Sequence, residues 1–253
     1  MTSDSRRRLV AGVTASAALA IISACSSPQR AGSADTAGNT IDSAKLERIT
    51  TLQQRIAELE KQADRVEDAS EVKRLQRAYG YYVDRGMWDQ VADLFADDAT
   101  IEIALDGVYV SKPRIREYLH ALGGGRTGLV NGQLNEQIQL QPVINVAADG
   151  LTAKGRWRAV ILSGQLGREA TWSEGPYENE YVKQNGVWKI GKLHWYQTYV
   201  VPYEGGWAKN KNLTDGTYVS GKLPPDRPPT ERYDVWPGVY TPAYHYKNPV
   251  TGK

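Results

Sequence analysis

The fold is decided by residues 134–200, which read LNEQIQLQPVINVAADGLTAKGRWRAVILSGQLGREATWSEGPYENEYVKQNGVWKIGKLHWYQTYV. Long runs with many β-branched and aromatic residues, separated by short turn signals, are typical of strands. The pairs Asp149-Gly150 and Asn185-Gly186 favour tight reversals between neighbouring strands. The stretch therefore predicts a meander of strands at 134–147, 152–164, 170–183 and 187–200.

The segment before these strands shows helical periodicity and one hairpin signal. Apolar residues at helical spacing predict a helix up to Gly86, a short helix over 88–96 and a third helix that begins at Pro113. Asp106-Gly107 predicts a small hairpin between strands at 99–104 and 108–110. Helices followed by such a meander make an α+β fold. A strongly curved antiparallel sheet wrapped by helices would form a cone with a central cavity at its open end.

The first 25 residues have the pattern of a bacterial export signal. Arg6-Arg7-Arg8 precedes an apolar stretch, 9–22, that is shorter than the roughly 20 residues of a spanning helix and fits a signal-peptide core. The stretch ends at Ser23-Ala24-Cys25, which resembles a lipobox. We expect an exported, periplasmic protein that contacts the membrane only through lipid on Cys25. The alternative is a chance cysteine in a signal peptide that is removed further along.

Composition excludes several classes of protein. The 31 Lys and Arg residues balance 29 Asp and Glu residues, so no clustered basic surface for nucleic acid is expected. One cysteine excludes an intrachain disulfide, and the three histidines lack the spacing of zinc ligands, so we expect no metal. These are His120, His194 and His245. Seven Trp and fifteen Tyr suit an aromatic-lined cavity or an interface, although ordinary packing accounts for the same composition.

Two segments precede the main domain. Residues 26–44 are rich in Ser, Ala and Gly, which predicts a flexible tether. Residues 45–68 predict an amphipathic helix whose apolar residues repeat at alternating steps of three and four, as in a coiled coil. These are Ile49, Leu52, Ile56, Leu59, Ala63 and Val66. The seam indicates an oligomerisation helix of a homodimer or homotrimer, or else a long helix packed on its own chain.

Four short stretches resemble a known family. YGYYVD at 79–84 and DLFADDAT at 93–100 are similar to the opening of a SnoaL-like domain. YENEYV at 177–182 and GVWKI at 186–190 resemble its closing strand pair. The resemblance covers residues 69–203 and leaves 204–253 as a C-terminal extension. It implies the cone-shaped α+β fold of the nuclear-transport-factor-two-like superfamily.

The resemblance also bounds the activity. The superfamily includes ketosteroid isomerases, scytalone dehydratase, polyketide cyclases, a dehydrochlorinase, epoxide hydrolases and non-catalytic binding or assembly modules, so the fold alone does not assign the reaction. It implies a lyase or dehydratase that needs no cofactor and acts on a small hydrophobic aromatic substrate. The sequence is also similar to lyases that release formaldehyde from lignin-derived diarylpropane diols and leave a stilbene. The alternatives are a ligand-binding or assembly lipoprotein and an enzyme like the ketosteroid isomerases.

Four residues are candidates for acid–base chemistry. The family's isomerases and dehydratases have a Tyr and an Asp near the end of the first helix, which implies Tyr82 and Asp84. Alternatively, Asp84 forms an ion pair with Arg85 or caps the next helix. Glu174 is either a desolvated carboxyl with a raised pKa or an exposed rim residue. His194 is either a group that titrates near neutral pH or a structural residue of the last strand.

The cavity walls are expected from inner helix faces and alternate strand residues. Gln137, Gln139 and Gln141 share one strand face, which is either a wet ligand-contacting face or an outward, solvated one. Gly175-Pro176 is expected to form a bulge that redirects the residues beside it. The candidate substrate-binding residues are Tyr79, Trp88, Gln137, Gln139, Trp157, Trp172, Tyr177, Asn179 and Tyr196.

The C-terminal extension has most of the prolines of the chain and many of its aromatic residues. Disordered tails are depleted in aromatic residues. We therefore expect residues 204–253 to lie along the domain or a neighbouring subunit and to cover the cavity mouth.

Overall fold

The computed structural model describes the chain from residue 36 to residue 253, so the predicted signal sequence and Cys25 lie outside the described residues. The chain divides into a first unit that ends at Thr51 and a second unit, Leu52–Lys253. Helix α1 is Thr36–Asp84, and the second unit contains every other helix and strand of the described residues. Residues 36–44 are helical, so the prediction of a flexible tether is wrong there. Helix propagation adds one hydrogen bond for each residue fixed, and Ala44 favours it.

The remaining helices of the described residues are short. They are α2 (Trp88–Asp93), α3 (Lys112–Leu122) and α4 (Gly206–Lys209). Gly86, with φ +62°, turns the chain between α1 and α2. Pro113 lies in the first turn of α3, as its fixed φ favours. The short helix predicted over 88–96 ends early, because the chain continues from Phe95 as a strand.

Seven strands form one sheet. They are β1 (Phe95–Ile103), β2 (Val108–Val110), β3 (Gln133–Val146), β4 (Thr152–Gln165), β5 (Glu169–Gln184), β6 (Val187–Trp195) and β7 (Tyr199–Pro202). Their order is β2-β1-β6-β5-β4-β3, with β7 beside β5. Every pair is antiparallel except β1 and β6. The predicted α+β fold with a curved antiparallel sheet is therefore confirmed, with one parallel pair inside it.

The predicted tight turns occur where the sequence places them. Gly107 and Gly150 have φ +90° and +69°, and Asn185-Gly186 has positive φ at both residues, as a type I′ turn requires. The hydrophobic core lies between the helices and one face of this sheet. Its largest side chains include Trp157, Tyr118, Tyr177 and Phe95.

The last long strand differs from the prediction. Residues 187–200 are interrupted, because β5 pairs with β6 through one half of its length and with β7 through the other. Where the partner of β5 changes from β6 to β7, a Cβ on Gly175 would lie 1.9 Å from the carbonyl oxygen of Tyr196, so only glycine fits there. The register of β4 and β5 is continuous through Gly175-Pro176, so the bulge predicted there is wrong. The irregularity lies instead on β3, between Leu140 and Val143.

The C-terminal extension lies on the domain of its own chain. Arg227 forms an isolated β-bridge with Val108, and Thr230 donates its backbone N–H to Glu102. Farther along, the Nδ1 atom of His245 lies 2.8 Å from a carboxylate oxygen of Glu178 on β5. These contacts attach the middle and the C-terminal part of the extension to the domain.

Candidate active site

A cavity of about 630 Å³ lies within the second unit, between the helices and the sheet. This volume falls in the range of small-molecule sites. The wall combines leucine, isoleucine and valine side chains and five aromatic residues with polar and charged side chains and several glycines. The aromatic residues are Tyr79, Trp88, Tyr177, Trp195 and Tyr218.

A pair of buried phenols lies on the wall. Tyr79 from α1 and Tyr177 from β5 meet edge to face, with ring centroids 6.0 Å apart. Burial raises the pKa of Tyr79 to about 12 and the pKa of Tyr177 well above its ordinary value. Both hydroxyls therefore stay protonated at neutral pH and can donate hydrogen bonds to an anionic oxygen.

Gln137 connects this pair to a carboxyl group. The Tyr177 hydroxyl donates to Oε1 of Gln137, at 3.3 Å. The backbone N–H of the same glutamine donates to Oδ1 of Asp84, at the end of α1. Gln137 belongs to the cavity wall, and Asp84 lies next to the wall residue Val83 in the chain. The phenols and the carboxyl group are thus linked through one residue.

Asp84 is 6% exposed. Burial raises the pKa of its carboxyl group, and the hydrogen bond from the Gln137 N–H opposes that rise. The ion pair expected with Arg85 is replaced by one between Arg85 and Glu136, at 3.9 Å. The cap residue of α2 is Met87, so Asp84 does not cap that helix. A carboxyl with a raised pKa beside a cavity is suited to accept a proton.

Three of the predicted binding residues form an interior network rather than part of the wall. Gln76 of α1 is fully buried, donates to Gln139 and accepts from Asn179 and from the Tyr181 hydroxyl. Trp157 donates its indole N–H to Tyr181, at 2.9 Å. Gln139, Trp157 and Asn179 therefore join α1 to the sheet through these hydrogen bonds, although Nε2 of Gln139 has no hydrogen-bond partner within the described residues.

His194 and Tyr196 do not line the cavity. Side chains alternate along a strand, so Trp195 on the wall directs both neighbours to the opposite face. The His194 ring stacks on Tyr196, with centroids 3.8 Å apart, and its Nδ1 lies 3.5 Å from Glu102. Burial lowers the pKa of His194 to about 3, so its imidazole is neutral. The expectation that His194 faces the cavity is wrong, because it is Trp195, the next residue of the strand, that faces the cavity.

Glu174 and Trp172 also face away from the cavity. Glu174 forms an ion pair with Arg158, and Trp172 stacks on Tyr203 with centroids 6.0 Å apart. Their expected inward position depended on the bulge at Gly175-Pro176, and a continuous register directs even-numbered residues of β5 outward. Gln141 accepts from the same Arg158, because its φ of +51° and the irregularity of β3 turn it away from Gln137.

Tyr82 is half-buried against the core and does not belong to the wall. On α1 the wall residues are Tyr79 and Val83, which are four residues apart and share one face. Tyr82 lies about 60° from Tyr79 around the helix, which takes its ring to the side of the cavity. The family-based assignment therefore moves from Tyr82 to Tyr79.

Sequence reasoning missed most residues of the wall, among them two aromatic residues and two arginines. The inward direction of Trp195 can be inferred from the alternation of side chains along β6 once the direction of a neighbouring residue is known. Tyr218 comes from the extension, and no local sequence pattern indicates that it lines the cavity. Arg126 and Arg168 come from loops, and neither guanidinium forms an ion pair within residues 36–253. Trp88 donates its indole N–H to the carbonyl oxygen of Arg126, at 2.7 Å, which holds that loop against the wall.

The described residues contain neither a metal-binding cluster nor a membrane span. No three His, Cys, Asp or Glu side chains within residues 36–253 approach one another closely enough to hold an ion. In the same range, no helix has the length and apolar character needed to cross a bilayer.

The family model of the SnoaL-like domain matches residues 64–194, which is just over half of the chain. The chain belongs to the SnoaL-like domain family. The match begins within α1 and ends at His194, so the extension that supplies Tyr218 lies outside it. No curated protein matches the sequence.

The SnoaL-like domain is similar to several solved structures. The hexachlorocyclohexane dehydrochlorinase LinA-type3 of Novosphingobium barchaimii is 20% identical over 57% of this chain and 95% of that chain, with a TM-score of 0.50. A LinA structure is 18% identical over the same shares, with a TM-score of 0.50. A putative scytalone dehydratase of Novosphingobium aromaticivorans is 17% identical over 56% of this chain and 91% of that chain, with a TM-score of 0.48. The two LinA structures show the fold alone.

Proposed function

We propose that the SnoaL-like domain is a cofactor-independent lyase or dehydratase-type enzyme for a hydrophobic aromatic small molecule. The observation that carries this proposal is the phenol pair of Tyr79 and Tyr177, linked through Gln137 to the buried carboxyl of Asp84. Elimination reactions need a base and donors for developing negative charge, and this arrangement contains both.

The division of roles follows from the protonation states. Asp84 does not line the cavity, so with its raised pKa it accepts the substrate's proton through a water beside Gln137. Tyr79 and Tyr177 keep their protons. Tyr79 donates its hydrogen bond to the oxygen on which charge develops, and Tyr177 does so when that oxygen replaces Oε1 of Gln137 as its acceptor. Such preorganised donors stabilise a transition state most strongly where water is excluded.

The substrate class that we propose is a lignin-derived diarylpropane diol. Its two aromatic rings suit a cavity of about 630 Å³ with a largely apolar and aromatic wall. Loss of the substrate's phenolic proton and benzylic hydroxyl as water gives a quinone methide. Deprotonation of the primary alcohol then breaks the carbon–carbon bond, whose electron pair restores the aromatic ring. The products are a stilbene, formaldehyde and water, so the atoms balance without an oxidant.

A second candidate is a ligand-binding lipoprotein, anchored at Cys25 in the periplasm. All three histidines of the chain lie within the described residues, and none lines the cavity. The wall thus lacks the side chain that most often transfers protons near neutral pH. Under this alternative, Asp84 joins α1 to the edge strand β3 and has no chemical role.

The deciding experiment is turnover by the purified full chain, without added cofactor, on a panel of lignin dimers and steroid-like ketones. Mass spectrometry identifies the products, and a trapping reagent quantifies formaldehyde. We expect Tyr177→Phe to lower kcat/KM by roughly 10²-fold and Asp84→Asn by roughly 10²–10⁴-fold. Tyr81→Phe is the matched control, because that tyrosine is 72% exposed on the same helix as Tyr79.

Three results would contradict the proposal. Turnover that survives both Tyr177→Phe and Asp84→Asn would move the chemistry away from this site. Thermal stabilisation by a lignin dimer without any product would favour the binding lipoprotein. Turnover of the steroid-like ketones alone would favour a ketosteroid-isomerase-like enzyme.

A further inference from the structure

An apolar stripe on α1 is left uncovered by the rest of the described residues. Leu52, Ile56, Leu59 and Val66 are each about half exposed or more, in the range 48–69%. They continue the alternating three- and four-residue steps that begin at Ile49. Regularly spaced apolar side chains on one helix face are costly to leave in water. This apolar stripe over residues 49–66 is the seam of the predicted coiled coil.

The residue types in the seam specify how many helices associate in the coiled coil. Ile49 and Ile56 occupy the first apolar position of their heptads, and Leu52 and Leu59 occupy the second. β-branched residues at the first position with leucine at the second favour two parallel helices. The reverse arrangement shifts the preference towards three or four helices.

The charges beside the seam specify its direction. Arg55 directly precedes the first apolar position of its heptad, and Glu60 directly follows the second. Neither side chain forms an ion pair or hydrogen bond within residues 36–253. In a parallel pair, each Arg55 faces the partner's Glu60, so two opposite-charge contacts form. In an antiparallel pair, each Arg55 would lie on the side of the partner's Arg55 and each Glu60 on the side of the partner's Glu60. Like charges would then be brought to the same side of the pair.

We propose that residues 49–66 form a parallel two-stranded coiled coil with a second copy of this chain. A membrane surface fits the seam less well, because acidic and basic residues are nearly balanced along 45–68, and surface-bound helices need a basic polar face. The C-terminal extension is engaged with Glu102, Asp106 and Glu178 of its own domain. This inference does not depend on the catalytic proposal.

The first test is the mass of the full chain in mild detergent, measured by density-matched sedimentation equilibrium. We expect a dimer, and a monomer from Leu59→Asp. Ala57→Asp is the matched control, because it introduces the same charge into the same helix away from the seam, and it stays dimeric. A monomeric or trimeric full chain would overturn the proposal, as would an unchanged dimer in Leu59→Asp. The thermal unfolding of each variant shows that the domain remains folded.

The second test is direction, by disulfide cross-linking in a Cys25→Ser background that removes the single native thiol. Leu52→Cys and Val66→Cys should each cross-link to their own copy, since equivalent residues meet in a parallel pair. Cross-linking only when the two variants are mixed would show an antiparallel pair and refute the proposal.

The charge pair gives an independent measure of the same arrangement. Arg55→Glu should weaken the dimer roughly 10-fold, because two attractive contacts become repulsive. Adding Glu60→Arg to Arg55→Glu should restore the dimer, since the pair is then reversed rather than removed. A double variant that is weaker than Arg55→Glu alone would contradict the facing of Arg55 and Glu60.

Discussion

Replacement of Asp106 is expected to release the C-terminal extension from the domain. This carboxylate is 1% exposed in the turn between β1 and β2. Its Oδ1 accepts the backbone N–H groups of Tyr218, Val219 and Ser220 at 2.7, 2.9 and 3.0 Å. Its Oδ2 accepts the Tyr118 hydroxyl at 2.9 Å. One side chain therefore satisfies four donors, three of which belong to the extension.

The magnitude follows from these four contacts. A hydrogen bond to a charged group contributes about 1.5–3 kcal/mol, and a buried donor left unpaired costs about 1–3 kcal/mol. Asp106→Ala leaves several donors unpaired at once, although the 218–220 segment can move towards water. The expected loss in free energy of unfolding is about 4 kcal/mol, which is large for a single substitution. Asp106→Asn keeps one accepting oxygen, so about half of that loss is expected.

The measurement is urea unfolding, with amide hydrogen exchange at residues 218–220 to report the local release. Asp97→Ala is the control, because the Asp97 side chain is 86% exposed and pairs only at the surface, with Lys112. The urea unfolding of that control should stay close to that of the unmodified chain, because an exposed ion pair contributes little to stability. An Asp106→Ala variant that is as stable as Asp97→Ala, with unchanged exchange at 218–220, would refute the reasoning.

Two further outcomes follow from the same structure. Gly123→Ala should lower the free energy of unfolding by about 1–3 kcal/mol and change the Trp88 fluorescence, because its Cβ would lie 2.2 Å from the indole nitrogen. Gly221→Ala is the control, because a Cβ there meets open space, and it should leave both quantities unchanged. His194 takes up its proton in the unfolded chain near pH 6.5 but in the folded chain only near pH 3. Stability should therefore fall by about 1.4 kcal/mol per pH unit as the pH drops below 6.5. His194→Phe should remove that slope in urea unfolding between pH 6.5 and 4, and an identical slope in the variant would show that His194 is not its source.

The parts of the fold that were predicted from the sequence depend on local signals. Asp106-Gly107, Asp149-Gly150 and Asn185-Gly186 mark turns because positive φ favours glycine and asparagine, whatever surrounds them. Helical spacing likewise identifies the inner face of α1, with Tyr79 and Val83 on it. These signals are sufficient for the order and the type of the elements.

The candidate site was harder to predict, because side-chain direction depends on non-local contacts. An irregularity that spans Leu140–Val143 turns Gln141 to the other side of the sheet, and the period of two gives no warning of it. His194 and Glu174 face outward because the pairing of β5 with β4 and β6 sets their side, and this pairing joins segments that are distant in the sequence, such as Tyr177 and Trp195. No pattern near Tyr218 shows that Asp106, 112 residues earlier, holds that tyrosine at the wall.

The contacts of the extension show that the end of the family match and the end of the segment that builds the domain are two different positions in the chain. The family match ends at residue 194, whereas the carboxylates that hold residues 218, 230 and 245 lie inside the matched region. A fragment trimmed to the homologous region would expose buried Asp106 and Glu102 without their donors and would lose two aromatic residues of the cavity wall, Trp195 and Tyr218. The segment that the family model matches is therefore smaller than the segment that builds the cavity. Sequence divergence after residue 194 would change the cavity wall even where residues 64–194 are unchanged.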